Sequence, residues 1–161
     1  MYTEIISSIK ILWEIYNNLS DKVKNKTKNN LLKYEFFEEI RYNLKLIEYH
    51  LQRNADKIEL IKKLEHKTLD KIIKEIHLRK LDKSMFKKGL VYASIIMTDK
   101  RFKRYKKYNY IKILINIKRK IVDLKDLPKL YKHNFEQKVR PSVRLKNVLL
   151  MYKLLSYQIN N

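Results

Sequence analysis

A chain of 161 residues with one glycine, Gly89, and two prolines, Pro128 and Pro141, has few places to turn sharply. β-Sandwiches and barrels draw on those residues at turn after turn, whereas long helices joined by short connections need few. Apolar residues recur at steps of three and four through most of the sequence. Together these features predict an all-α fold, a largely antiparallel bundle of about five to seven amphipathic helices. The length suits one domain over residues 1–161 with a single core. With 45% hydrophobic and 34% charged residues, the chain carries too much of each to stay disordered. Cysteine is absent, which excludes disulfides and thiolate metal sites and is compatible with the expected cytoplasmic location. No secretory signal and no run of about 18 apolar residues is found, so no transmembrane helix is expected.

The clearest period runs from residue 3 to 23, where Ile5, Ile9, Leu12, Tyr16, Leu19 and Val23 form a heptad seam. The seam suits a bundle helix or a homo-oligomer contact. A polar connection, Lys24 to Asn30, leads to a second helix over Leu31 to Arg53, with Phe37, Ile40, Leu44, Ile47 and Leu51 inward. Glu35, Glu38 and Glu39 are placed in its first turns, where the dipole favours carboxylates. A third helix is predicted over 56–80 and a fourth over 85–97, with Gly89 inside it. Thr98-Asp99 reads as a cap signal. A short helix is expected from Asp99 to about Lys107, a bend near Tyr108-Asn109, and a helix to about Lys125; one continuous helix through Asn109 is the alternative. There Tyr110, Leu114, Ile117, Ile121 and Leu124 share the inward face, with Lys112, Asn116 and Arg119 opposite. Leu127 to Arg140 reads as irregular because of Pro128, with one short turn around Leu130 to Phe135. Pro141 opens the final helix, where a first-turn proline suits, with Val148, Tyr152, Leu155 and Ile159 as its seam.

Net charge is +21, and its placement is lopsided. Residues 1–82 hold 17 basic and 13 acidic residues; residues 83–161 hold 21 basic and 4 acidic. AT-rich coding explains abundant Lys, Asn and Ile, but not the loss of acids from one half. Ten of the 21 residues from Lys100 to Lys120 are Lys or Arg, and none is acidic. Phosphates meet such a surface by releasing condensed counterions, and lysine in excess over arginine points to backbone contact rather than base readout. The candidate nucleic-acid-binding residues are Lys100, Arg101, Lys103, Arg104, Lys107, Lys112 and Arg119, with Arg140 and Arg144 as a second cluster at the start of the last helix. Tyr105 and Tyr108, interleaved with the cations, are candidates for stacking on unpaired bases; half-buried packing is the plainer role for them.

No motif for catalysis is present. There is no glycine-rich phosphate loop and no HExxH. His66, Asp70 and His77 fall near one helix face, but core-edge or solvated positions account for them without a metal. Arg41 and His50 have eight residues between them, outside the register of the Arg–His pair in HEPN-type nucleases. The expectation is a non-enzymatic protein without cofactor or metal, binding RNA or DNA largely independently of sequence. The alternative is an adaptor or homo-oligomerising module, through the Ile5–Val23 seam, with an acidic partner; attachment of the amphipathic 99–120 segment to anionic lipid is a third reading.

Two stretches carry a likeness. Glu35 to His50 includes Glu39, Ile40, Arg41, Asn43 and Leu44; Val139 to Ile159 includes Val143, Arg144, Leu145 and Asn147. These resemble the "E-I-R-x-N-L" and closing "V-R-L-x-N" helices of small all-helical accessory or effector proteins of bacterial anti-phage defence loci. The resemblance implies a protein acting through partners, in a defence or ribonucleoprotein complex, and supplies no catalytic residue. It also implies that Arg41 and Asn43 cap or cross-link helices near the bundle end.

Overall fold

The computed structural model describes residues 14–15, 31–53, 56–78, 86, 90–91, 100–131 and 134–159. The protein is all-α. Six α-helices are described: α1 (Leu31–Arg53), α2 (Lys57–Lys63), α3 (Lys67–His77), α4 (Tyr110–Leu130), α5 (Phe135–Val139) and α6 (Pro141–Gln158), with a 3-10 helix at Lys100–Tyr105. The Ile5–Val23 seam lies outside the described residues except Glu14 and Ile15, which are helical. The Lys24–Asn30 connection, Gly89, the Thr98-Asp99 cap and His133 also lie outside them.

The centre of the bundle is α6. Twelve of its 18 residues are buried, so it is enclosed on nearly all sides rather than amphipathic in the manner of a surface helix. Its partner is α4, whose inward face of Tyr110, Leu114, Ile117, Ile121 and Leu124 is buried as its period predicts. The two run antiparallel. Phe86 bridges Ile159 and stacks on Tyr110 with ring centroids 4.7 Å apart, which sets the start of α4 beside the end of α6. At the other end Arg119 and Asp123 line a cleft with Arg144 and Asn147. Lys153, buried within α6, pairs with Glu14 at 3.0 Å.

Several boundaries differ from the sequence expectation. The helix predicted over 56–80 is two, broken at Leu64–His66. Side chains from elsewhere satisfy the backbone that the break exposes. Asn43 Nδ2 donates to the Glu65 carbonyl at 2.7 Å, and Asn43 Oδ1 accepts from the Glu65 N–H at 2.8 Å. Lys125 Nζ donates to the Leu64 carbonyl at 2.8 Å. The Glu39 carboxylate accepts from the N–H groups of Thr68 (2.6 Å) and Leu69 (3.0 Å). Glu39 thus caps the N-terminus of α3 from a neighbouring helix and does not serve the first turn of its own, which has no acid. Buried carboxylates persist where such charge-assisted bonds hold them. Asn43 joins α1 to the break and to α6, because its Nδ2 also donates to the Tyr152 hydroxyl at 2.9 Å. Arg41 instead pairs with Glu38 on its own helix at 3.1 Å.

The helix predicted over 85–97 is absent at its described positions. Phe86 lies in the bridge, Leu90 in a bend, and the Val91 N–H donates to the Tyr108 carbonyl at 2.9 Å. Tertiary partners take the backbone groups that a helix would pair internally. By contrast α4 runs through Pro128 to Leu130, past the expected stop near Lys125. Proline removes one donor, yet the Tyr131 N–H still closes the last turn on the Leu127 carbonyl at 3.0 Å. A short helix follows over Phe135–Val139, later than the expected turn.

The Tyr152 hydroxyl has its pKa pushed well above the ordinary tyrosine value, first by burial and secondarily by the charge of Glu39; the Asn43 bond opposes them. Folding therefore disfavours its ionisation. The unfolded chain releases that proton near pH 10, so the stability this group contributes is complete below that pH and declines above it. Tyr152→Phe is expected to lower stability by about 1 kcal/mol at neutral pH. Urea titrations of both forms should show this gap narrowing above about pH 10.

Candidate nucleic-acid interface

The basic stretch is anchored by period three. A 3-10 helix has three residues per turn, so side chains at i and i+3 eclipse. Phe102 and Tyr105 thereby face inward together and are buried (0% and 5% exposed). Lys100, Arg101, Lys103 and Arg104 are left outward along an open groove of about 650 Å³. The helix ends at Tyr105, so Lys107 sits in the following turn and not on the face with Lys100 and Lys103 that an α-helix would give. The bend falls where expected. Asn109 Oδ1 accepts from the Lys112 N–H at 3.0 Å, capping α4.

Tyr105 is not a stacking platform. Its ring is buried, meets Tyr108 edge to face at 5.2 Å, and has the Arg104 guanidinium 4.9 Å over it. Tyr108, the other ring of that pair, is half-buried and packs against the core. For Tyr105 packing takes the place of stacking, because the 3-10 register turns that residue inward.

A second cleft, of about 210 Å³, is lined by Arg119, Lys120, Asp123, Leu124, Arg144 and Asn147. It unites two clusters that are separate in sequence. Arg144 is oriented by its Nε, which donates to the Val139 carbonyl at 2.8 Å. Lys120 has its pKa lowered, first by burial and then by the positive charges of Arg104 and Arg119; Asp123 opposes them, and Arg144 lowers it further. Arg104 therefore belongs electrostatically to both clefts. Among the described residues, none of Arg104, Arg119, Lys120 and Arg144 forms an ion pair with a carboxylate.

Lys112 and Arg140 are exposed but line neither cleft. Arg140 is the N-cap of α6, with left-handed backbone at φ 48°, ψ 60°. Pro141 disfavours the right-handed helical conformation at Arg140, and the Arg140 carbonyl accepts from the N–H groups of Val143 and Arg144. Sequence reasoning missed Lys120 and Asn147. The available signal for Lys120 was its place at the edge of the inward face, between Ile117 and Leu124. Asn116, expected on the outer face, is buried instead.

On the other side of α4 a third cleft is lined by Lys62, His66, Lys125, Asp126 and Lys129 among others. Its charges are largely engaged: Lys125 on the Leu64 carbonyl, Lys129 on Asp126 at 3.0 Å, and His66 on Asp70 at 3.0 Å. Asp70 also pairs with Lys118 at 2.7 Å. Among the described residues no group of three or more His, Asp or Glu side chains is placed to hold a metal ion. His50 is buried, 3.3 Å from Ser142 Oγ, while Arg41 pairs with Glu38 in a half-exposed position. Among the described residues no helix is long and apolar enough to cross a membrane. No family model, curated protein or solved structure matches the chain.

Proposed function

We propose that the protein binds nucleic acid, RNA or DNA, through phosphate contacts with little dependence on sequence. One observation carries this reading: Arg119, Lys120 and Arg144 converge from α4 and α6 on a cleft that holds one carboxylate, and the charge of Arg104 on the 3-10 helix acts on Lys120 there. Like charges gathered by tertiary packing repel at rest, and a polyanion relieves that repulsion. The groove along Lys100, Arg101, Lys103 and Arg104 extends the same field. The excess of bases over acids in residues 83–161 supports the reading independently. The proposal places the protein in the cytoplasm and, by the likeness of its Glu35–His50 and Val139–Ile159 segments to anti-phage accessory proteins, in a defence or ribonucleoprotein complex.

Salt dependence tests it. Anisotropy titrations of a labelled random-sequence strand at several salt concentrations should give a linear log–log plot. Each phosphate contact adds about 0.7–0.9 to the slope, so engagement of all seven cations that line the two clefts predicts a slope of about −5 to −6. A slope near zero rejects the proposal.

A further inference from the structure

The cleft between α4 and α6 differs in kind from the groove along the 3-10 helix. At about 210 Å³ it is smaller than the ~300–1,000 Å³ of sites that enclose drug-sized ligands. It admits a compact group and is too small for a nucleoside. Its polar lining is Arg119, Lys120, Arg144 and Asn147, with Asp123 as the single carboxylate. Arg144 is held in place through Nε by the Val139 carbonyl, which leaves its terminal nitrogens without a protein partner among the described residues. Lys120 is half-buried, shares the cleft with Arg119 and Arg144, and feels the charge of Arg104.

The charge of a ligand that best relieves this crowding follows from elementary chemistry. An internal phosphodiester carries one negative charge and has chain leaving on both sides. A phosphate monoester carries about −1.5 to −2 at pH 7, presents three acceptor oxygens, and has chain on one side only. A small, walled cleft fits the second. The open groove of about 650 Å³ beside it fits a run of the first. Resting on the nucleic-acid reading above, we propose that the Arg119–Lys120–Arg144 cleft receives the terminal phosphate monoester of a nucleic-acid strand, while the Lys100–Arg104 groove carries the internal phosphates that follow. Arg104 lines the groove and its charge acts on Lys120 in the cleft, which links the two.

The test compares short single strands of one sequence, labelled internally, bearing a 5′-phosphate, a 3′-phosphate or hydroxyls at both ends. Binding to the full chain is followed by anisotropy at one fixed salt concentration. One phosphorylated end should bind about tenfold tighter than the hydroxyl-ended strand, the size of an added charge-assisted contact. Lys120→Gln and Arg144→Gln should each collapse that ratio to about twofold or less. The ratio is the readout, since either change also removes a cation from the general field. If Arg144→Gln loses its helical circular dichroism through the Val139 contact, Lys120→Gln decides alone. Equal affinity for all three strands overturns the terminal-phosphate site and leaves the nucleic-acid reading intact. A preference that survives Lys120→Gln also overturns the site. Failure of every strand to bind ends both.

Discussion

Replacing Arg101, Arg104 and Lys107 together by glutamate is expected to reduce affinity for a generic strand by on the order of a thousandfold or more at physiological salt. The change removes three cations and introduces three carboxylates beside phosphate. Arg101 and Arg104 line the open groove, and Arg104 also contributes to the field around Lys120. The helical circular dichroism should be unchanged, because Phe102 and Tyr105, which anchor the segment, remain buried in the core. Among single changes, Arg104→Glu should cost most and Lys107→Glu least, since Lys107 lines neither cleft. Affinity within about threefold of wild type for the triple variant, where on the order of a thousandfold loss is expected, would sink the proposed function.

Asn43→Ala is expected to destabilise the protein by about 3–5 kcal/mol. Asn43 is fully buried and bonds the N–H and the carbonyl of Glu65 and the hydroxyl of Tyr152. Truncation leaves three polar groups without their partner, at about 1–3 kcal/mol for each that stays dry. It also frees the break between α2 and α3 from α1. Domains of this size are stable by only about 5–15 kcal/mol, so the change consumes a large share of the total. Urea denaturation reads it directly. A double-mutant cycle with Tyr152→Phe should show coupling of about 1 kcal/mol, because the two changes share one bond. A loss under about 1 kcal/mol would mean that water replaces the side chain at the break.

Much of this architecture is legible in the sequence, and the reason is local. Scarcity of glycine and proline leaves helices as the economical solution. The steps of three and four in Phe37–Leu44 and Tyr110–Leu124 mark faces that the core buries. Asn109 caps α4 with its own side chain, within three residues. Such features depend on neighbours in the chain, so a one-dimensional reading finds them. The imbalance of charge between the two halves is likewise a property of the sequence by itself.

What only the tertiary structure decided depends on groups far apart in the chain. The apolar period steps by three from Ile58 to Leu64 and then by five to Leu69, a single slip that marks the break at Leu64–His66 only weakly. The break exists because Glu39, Asn43 and Lys125 supply from other helices the bonds that the backbone gives up there. Tyr105 looks available beside four cations until the 3-10 register turns it inward under Arg104. Lys120, unremarkable in a Lys-Arg-Lys run, loses part of its affinity for a proton first through burial and then through Arg104 and Arg119, with Arg144 adding to them once α6 packs against α4. Sequence alone determined a helical fold and a one-sided positive field, since composition and period fix both. Tertiary packing decided where that field concentrates, because repulsion between cations from three separate elements exists only once the core holds them together.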